Sequence, residues 1–308
     1  MVRGGPATGP PDGPRRARDR SARWQTAGMR IAVLGTGRMG TELALHLLEN
    51  HDLRVWNRTP ERTARLAEAG AEVAASPAEA VSGAEVVVTS LFGPDAVRET
   101  VLEPALIPAG VPWVDTTTVS PADAEEFAAA VPTYVAVPVV GSLGPARAGK
   151  LGVYVGTADA ALRERILDLV SPWADPERLR GVDSAARAAV GKLLANLALA
   201  VSAEGLREAL SLGDATGLDP EEVLDMLGGT GLAFIAGMKG PFVRGERGTE
   251  GGDFSVNAIA KDARLLLDTA GELPAVRAAL TSLEQQQDAG RGEHDFSAIL
   301  TDRPSPGA

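Results

Sequence analysis

Three glycines stand at GxGxxG spacing in Gly35-Thr36-Gly37-Arg38-Met39-Gly40. They directly follow a short apolar run, Arg30–Leu34, and open a segment of helical periodicity over residues 41–49. In that strand–turn–helix context the pattern reads as a phosphate cradle. The first glycine permits a tight turn, the second lets the backbone approach a pyrophosphate, and the third lets the helix pack closely on the strand. The helix N-terminus adds free N–H groups and the positive end of its dipole. A ligand-free turn with the same three glycines would cost chain entropy to no purpose. The motif predicts a dinucleotide site with Gly35, Thr36, Gly37, Arg38, Met39 and Gly40 around the phosphates.

The next residues bear on which dinucleotide. A second strand, residues 53–56, ends in Trp56-Asn57-Arg58-Thr59. An NAD-binding protein usually places an acid here for the ribose 2′-OH, and none is present. Arg58 by its planar fork and Thr59 by its hydroxyl suit a 2′-phosphate instead. The expectation is NADP(H) in preference to NAD(H), held by Asn57, Arg58 and Thr59. The plainer reading of Arg58 is a solvated surface charge. Loops at the carboxyl ends of later strands belong to the same crevice. Ser90 and Leu91 follow a fourth strand. Asp115-Thr116-Thr117-Thr118 follows a fifth, and Ser90, Leu91 and Thr118 are expected to flank the nicotinamide ribose. Ser120 also caps the helix that starts at Pro121, and both roles can hold together.

Several elements must position these groups. Short apolar runs at 30–34, 53–56, 72–74, 85–90, 112–115, 133–140 and 151–155 are separated by helical segments at 60–69, 76–80, 95–102 and 121–130. Such alternation predicts an α/β fold, a doubly wound parallel sheet. After about residue 181 the strand signals stop. Residues 184–215 read as one long helix, apolar on most faces, followed by helical stretches at 220–227, 255–269 and 274–287. Such a helix must be buried by a neighbour or by a second subunit. Residues 1–28, rich in Gly, Pro and Arg, form no apolar face and read as a disordered tail. The expected division is therefore a tail over 1–28, an α/β domain over 29–182 and an all-α domain over 183–308, joined by the long helix.

Composition removes other chemistries. There is no Cys, so thiol nucleophiles, disulfides and iron–sulfur clusters are excluded. The three histidines are scattered without metal-ligand spacing, and no metal site is expected. A net charge of -11 disfavours a nucleic-acid groove. No uninterrupted apolar run reaches the roughly 18–20 residues of a membrane span, so a cytoplasmic setting without membrane contact is expected. Lysine occurs only at Lys150, Lys192, Lys239 and Lys261.

The chain resembles the β-hydroxyacid dehydrogenases, a group that includes 3-hydroxyisobutyrate dehydrogenase, glyoxylate/succinic semialdehyde reductase and, more distantly, imine reductases. The resemblance runs from residue 29 to about 300. It rests on five segments in order: GTGRMG (35–40), DTTTVSP (115–121), VPVVGSLGPARAGKL (137–151), GKLLANL (191–197) and FSVNAIAKD (254–262). It implies that Lys192 and Asn196 are the catalytic pair. Their i, i+4 spacing puts both on one helix face, and a buried lysine can protonate the oxygen as hydride reaches carbon. Replacing Lys192 is expected to abolish turnover and spare coenzyme affinity. The resemblance further places Lys261 near the nicotinamide and Asp262 at the substrate. A surface salt-bridging pair is the plainer reading of those two.

The glycine-rich substrate segment of the family usually carries a serine where this chain has Val140, followed here by Gly141 and Ser142. Valine cannot donate a hydrogen bond to a substrate carboxylate. Ser142 and the backbone N–H groups of Gly141 and Ser142 are the expected substitutes. Residues 141–146 lie closer to the glyoxylate reductase branch, and a bulkier or less acidic carbonyl is expected to fit better than a small hydroxy acid. Two alternatives stand beside this reading: an imine reductase, favoured by the lost serine, and a non-catalytic NADPH-binding module. Family likeness also implies a homodimer or homotetramer built through the helical domain, with a small-molecule substrate as the other partner.

Overall fold

β-Branched residues fill the central strands, and their alternation sets two faces. In β1 (Arg30–Leu34), Ile31 and Val33 point to one side, Ala32 and Leu34 to the other. The structure, a computed structural model, describes residues 28–301; apart from Gly28, the tail expected over 1–28 lies outside the described residues. The further strands are β2 (Asp52–Trp56), β3 (Glu72–Val73), β4 (Val86–Thr89), β5 (Trp113–Asp115), β6 (Tyr134–Ala136), β7 (Val139–Val140), β8 (Leu151–Gly156) and β9 (Ala174–Val182). They form one sheet in the order β3-β2-β1-β4-β5-β6-β8-β7, with β9 paired to β8. All pairings from β3 to β6 are parallel. The strand order reverses between β1 and β4, which opens a crevice at their carboxyl ends.

The sheet is not parallel throughout. β8 runs antiparallel to both β6 and β7, and β9 runs parallel to β8. The single strand expected over 133–140 is broken after Ala136, because Pro138 has no N–H to give a ladder. β9 escapes a hydrophobicity reading because its sequence, ADPERLRGV, is charged and largely exposed. It is an edge strand, where charge discourages further pairing.

Two cores flank the sheet. One lies under helices Arg38–Leu48 and Ala160–Val170, the other under helix Pro121–Ala130. The spine helix, Ala185–Thr216, starts at Ser184, whose hydroxyl accepts from the Arg187 N–H, and ends at Gly217 with φ +81°. Its first turns pack Ala185, Ala188 and Ala189 on the sheet. From Leu193 onward Ala200, Ala203, Leu206 and Leu210 enter a third core. That core is shared with helices Ala233–Val243, Val256–Ala270 and Pro274–Asp288. Helix Ala233–Val243, with Gly237, Gly240 and Pro241 inside it, has too little helix propensity to be read from sequence. By length and composition the spine alone among the described helices would suffice to cross a membrane; here it is packed between the sheet and its helical neighbours. Between Ala189 and Leu193 it changes partners, and Lys192 lies at that changeover.

Candidate active site

Gly35 leaves β1 with φ +96°, a conformation open to glycine. A Cβ there would lie 2.3 Å from the Ser90 carbonyl oxygen, so β1 and β4 loops touch at the crevice. A Cβ on Gly40 would lie 2.2 Å from the Gly35 oxygen. At Gly37, by contrast, a Cβ would meet nothing within 4 Å. Gly37 is the N-cap of helix Arg38–Leu48, with no side-chain cap and no acid in the first turn. The leading N–H groups lack a side-chain cap, and an external anion would satisfy them. The buried Thr36 Oγ1 has no hydrogen-bond partner among the described residues. These features fit a pyrophosphate.

The neighbouring candidates divide their work. The Thr36 N–H donates to Asn57 Oδ1 at 3.0 Å, and Asn57 Nδ2 donates to the Thr59 carbonyl at 2.9 Å. Asn57 thus ties the glycine turn to the β2 loop. Arg58 and Thr59 are exposed, and among the described residues their side chains make no hydrogen bond or ion pair. Met39 packs on the core beneath the turn. Arg38 turns away from the turn and donates to the carbonyls of Gly252 and Glu293, bridging to the helical region.

The helical region also reaches the β4 and β5 loops. Helix Val256–Ala270 is capped by Ser255, whose hydroxyl accepts from the Ala258 N–H. This fixes Lys261 and Asp262 over the crevice. Lys261 Nζ donates to the Thr118 carbonyl at 3.2 Å and to Asp262 Oδ1 at 2.5 Å. Its aliphatic stem lies against Gly93, where a Cβ would come 3.0 Å from Lys261 Cδ, and its ammonium is 5.8 Å from the Phe92 ring. The other Asp262 oxygen accepts from Asn196 Nδ2 at 2.5 Å. A continuous chain, Asn196–Asp262–Lys261–Thr118, therefore links the spine to the sheet.

Lys192 lies one turn before Asn196 on the spine. Beside it, Gly191 admits the Tyr154 ring, which a Cβ would approach to 2.9 Å. Lys192 is partly buried and has no hydrogen bond or ion pair among the described residues. Burial pushes its pKa below the ordinary lysine value; the Asp262 charge opposes that shift and the Lys261 charge adds to it. An ammonium in this setting gives up its proton more readily than one in water.

The segment 140–142 ends β7, which touches the spine. Gly141 has φ +147°, and a Cβ would come within 2.6 Å of Leu151 Cδ2, so only glycine fits. Ser142 precedes helix Leu143–Arg147 without capping it through its side chain. Among the described residues its hydroxyl makes no hydrogen bond. Val140 is half-buried and apolar. Sequence reasoning missed the Arg38 bridge, the Phe92–Gly93 seat for Lys261 and a buried carboxylate, Asp115. The DTTT run was the only signal for the last of these.

Residues 30–175 match the family model described as the NAD binding domain of 6-phosphogluconate dehydrogenase. Residues 186–301 match that described as the NAD-binding region of NADP-dependent 3-hydroxyisobutyrate dehydrogenase. The 3-hydroxyisobutyrate dehydrogenase of Pseudomonas aeruginosa is 32% identical over 87% of this chain and 96% of its own length. Glyoxylate/succinic semialdehyde reductase 1 of Arabidopsis thaliana is 27% identical over 88% of this chain and 97% of its own. Among solved structures, the Mycobacterium tuberculosis 3-hydroxyisobutyrate dehydrogenase with L-serine superposes with a TM-score of 0.74 at 25% identity, covering 89% of this chain and 99% of that one.

Proposed function

The chain belongs to the β-hydroxyacid dehydrogenases, NAD(P)-binding oxidoreductases, and from that premise we propose that it is an NADPH-dependent reductase of small carbonyl compounds, or the reverse alcohol dehydrogenase. The observation that carries this reading is the hydrogen-bonded chain from Asn196 through Asp262 and Lys261 to the Thr118 carbonyl. It supports the reading by tying the spine, one turn after Lys192, to the loop that follows β5.

In this reading the backbone of residues 35–40, Thr36 Oγ1 and the helix N-terminus hold the pyrophosphate. Arg58 and Thr59 hold the 2′-phosphate, while Asn57 keeps their loop in register. Ser90, Leu91, Thr118 and Lys261 line the nicotinamide ribose. The nicotinamide supplies or accepts the hydride. Lys192 gives a proton to the substrate oxygen in reduction and takes it back in oxidation. Asn196 orients the substrate from the adjacent turn, held in place by Asp262. Ser142 and the N–H groups of Gly141 and Ser142 receive a substrate acceptor group. Val140 gives that end of the pocket an apolar wall, which suits a bulkier or less acidic carbonyl than a small hydroxy acid.

Residues 29–182 then form the coenzyme domain and 183–308 the substrate and dimerisation domain of a cytoplasmic enzyme. Exposed Leu212, Met226 and Phe234 on the helical region support a homodimer or homotetramer.

An NADPH-consumption screen across aldehydes, keto acids and cyclic imines, with NADH as control, tests the activity. Carbonyl reduction with NADPH is the expected result. Faster turnover of imines would favour the imine reductase reading, and tight binding without turnover a coenzyme-binding module. Arg58→Ala should lower the preference for NADPH over NADH by about tenfold to a hundredfold, the worth of a charged hydrogen bond. An unchanged ratio of kcat/KM for the two coenzymes would remove Arg58 from the site.

A further inference from the structure

Asp115 closes β5 and is only 1% exposed, with no ion pair among the described residues. Three donors converge on it, from β4, from the loop after β5 and from β6. Thr89 Oγ1 at the end of β4 donates to Oδ1 at 2.7 Å, the Thr117 N–H donates to the same oxygen at 3.0 Å, and the Tyr134 hydroxyl donates to Oδ2 at 3.2 Å. The Trp113 Nε1–H donates to Thr89 Oγ1 at 2.8 Å, so the single proton of that hydroxyl is left for Asp115. Rings of Trp113, Phe127 and Tyr134 pack edge to face around the group. Burial pushes the Asp115 pKa upward, and the hydrogen bonds pull against it.

A carboxylate without a cation is a costly thing to bury, and an apolar residue would pack this core more cheaply. What the carboxylate supplies is acceptor geometry. Thr117, held from below by its N–H, accepts the Leu91 N–H on its own Oγ1 at 3.1 Å. The next residue, Thr118, presents its carbonyl to Lys261.

We propose that Asp115 is the positioning residue of the nicotinamide half of the site: it locks the 116–118 turn against the 90–91 loop and, through the Thr118 carbonyl, sets where Lys261 holds Asp262. This rests on the coenzyme reading above.

The test separates that role from simple core stability. Thr117→Val keeps volume and the backbone bond to Asp115 and removes the hydroxyl that accepts the Leu91 N–H and faces the Asp115 carboxylate. It should raise the coenzyme KM and the Kd from direct NADPH titration about tenfold, the size of one lost buried hydrogen bond. Asp115→Ala should do at least as much where it folds. Asp115→Asn, which keeps an oxygen toward Thr89 and Thr117, should restore both constants to within about threefold of the parent, the loss being one weakened bond. Tyr134→Phe removes the core-side donor alone; it should lower Tm yet leave Kd and KM within about twofold, the loss staying on the core side. A Thr117→Val protein with parental Kd and KM, an Asp115→Asn protein as weak as Asp115→Ala, or an equal Kd rise in Tyr134→Phe would overturn the positioning role. A parent protein that binds no NADPH would instead overturn the coenzyme reading itself.

Discussion

Two lysines of the helical region, Lys239 buried and Lys192 partly buried, are treated differently. Lys239 is 5% exposed, and its ammonium donates to Asp295 Oδ1 at 2.7 Å. The Phe296 ring lies 3.9 Å away. Asp295 also accepts from the N–H and hydroxyl of Ser297 and from the N–H groups of Asp253 and Phe254. That pair is satisfied on every side, and it pins the 249–254 loop on which Arg38 rests. Among the described residues Lys192 has no such partner. The carboxylate whose charge it feels, Asp262, is already engaged by Asn196 and Lys261. Burial lowers the pKa of both lysines, so a depressed pKa does not by itself mark the chemical one. What separates Lys192 is an ammonium without a partner among the described residues, beside a carboxylate already engaged.

The contrast can be broken in three ways, from the largest effect to the smallest. Lys192→Ala should cut turnover by roughly a thousandfold, within the range of general acid catalysis, while the NADPH Kd from titration stays near the parental value. Turnover that survives would make Lys192 merely a second buried cation. Lys239→Ala should do the converse. It leaves Asp295 buried without its cation, which costs about 3–5 kcal/mol of stability, read as a large fall in the denaturant midpoint. The folded fraction should keep its kcat; a lost kcat with unchanged stability would reverse the two roles.

The smallest effect is on the pH profile. With Lys192 as the proposed proton donor, kcat/KM for reduction should fall as pH rises through the depressed Lys192 pKa. Oxidation needs the neutral amine and should rise over the same window. Lys261→Met deletes a like charge and frees an Asp262 oxygen, so both midpoints should move upward, toward the ordinary lysine value. A downward shift, or none, would show that Lys192 does not feel Asp262 and Lys261.

Much of the coenzyme half was legible because its geometry is local. The turn at Gly35 needs a positive φ a single residue after an apolar strand, and six adjacent residues announce it. Arg58 follows from counting to the end of β2. The spine announced itself by residues 184–215, apolar on most faces with no strand signal among them. The sheet beyond β6 was harder. Pro138 breaks what hydrophobicity alone reads as one strand, and charged β9 is recognised only by the strand it pairs with.

At the active site, the sequence by itself determined which groups exist and which local backbone presents them: a glycine turn, a lysine and an asparagine one helical turn apart, a Lys-Asp pair behind a serine cap. Only the tertiary structure decided which of these meet. Asn196 and Asp262 are 66 residues apart, Thr118 and Lys261 143 apart, and their contacts exist because the spine changes partners between Ala189 and Leu193. Local conformation follows from neighbouring residue types, whereas long-range pairing follows from how whole faces pack. For that reason the partnerless state of Lys192, the Arg38 bridge and the buried Asp115 could not be read from any stretch of the chain.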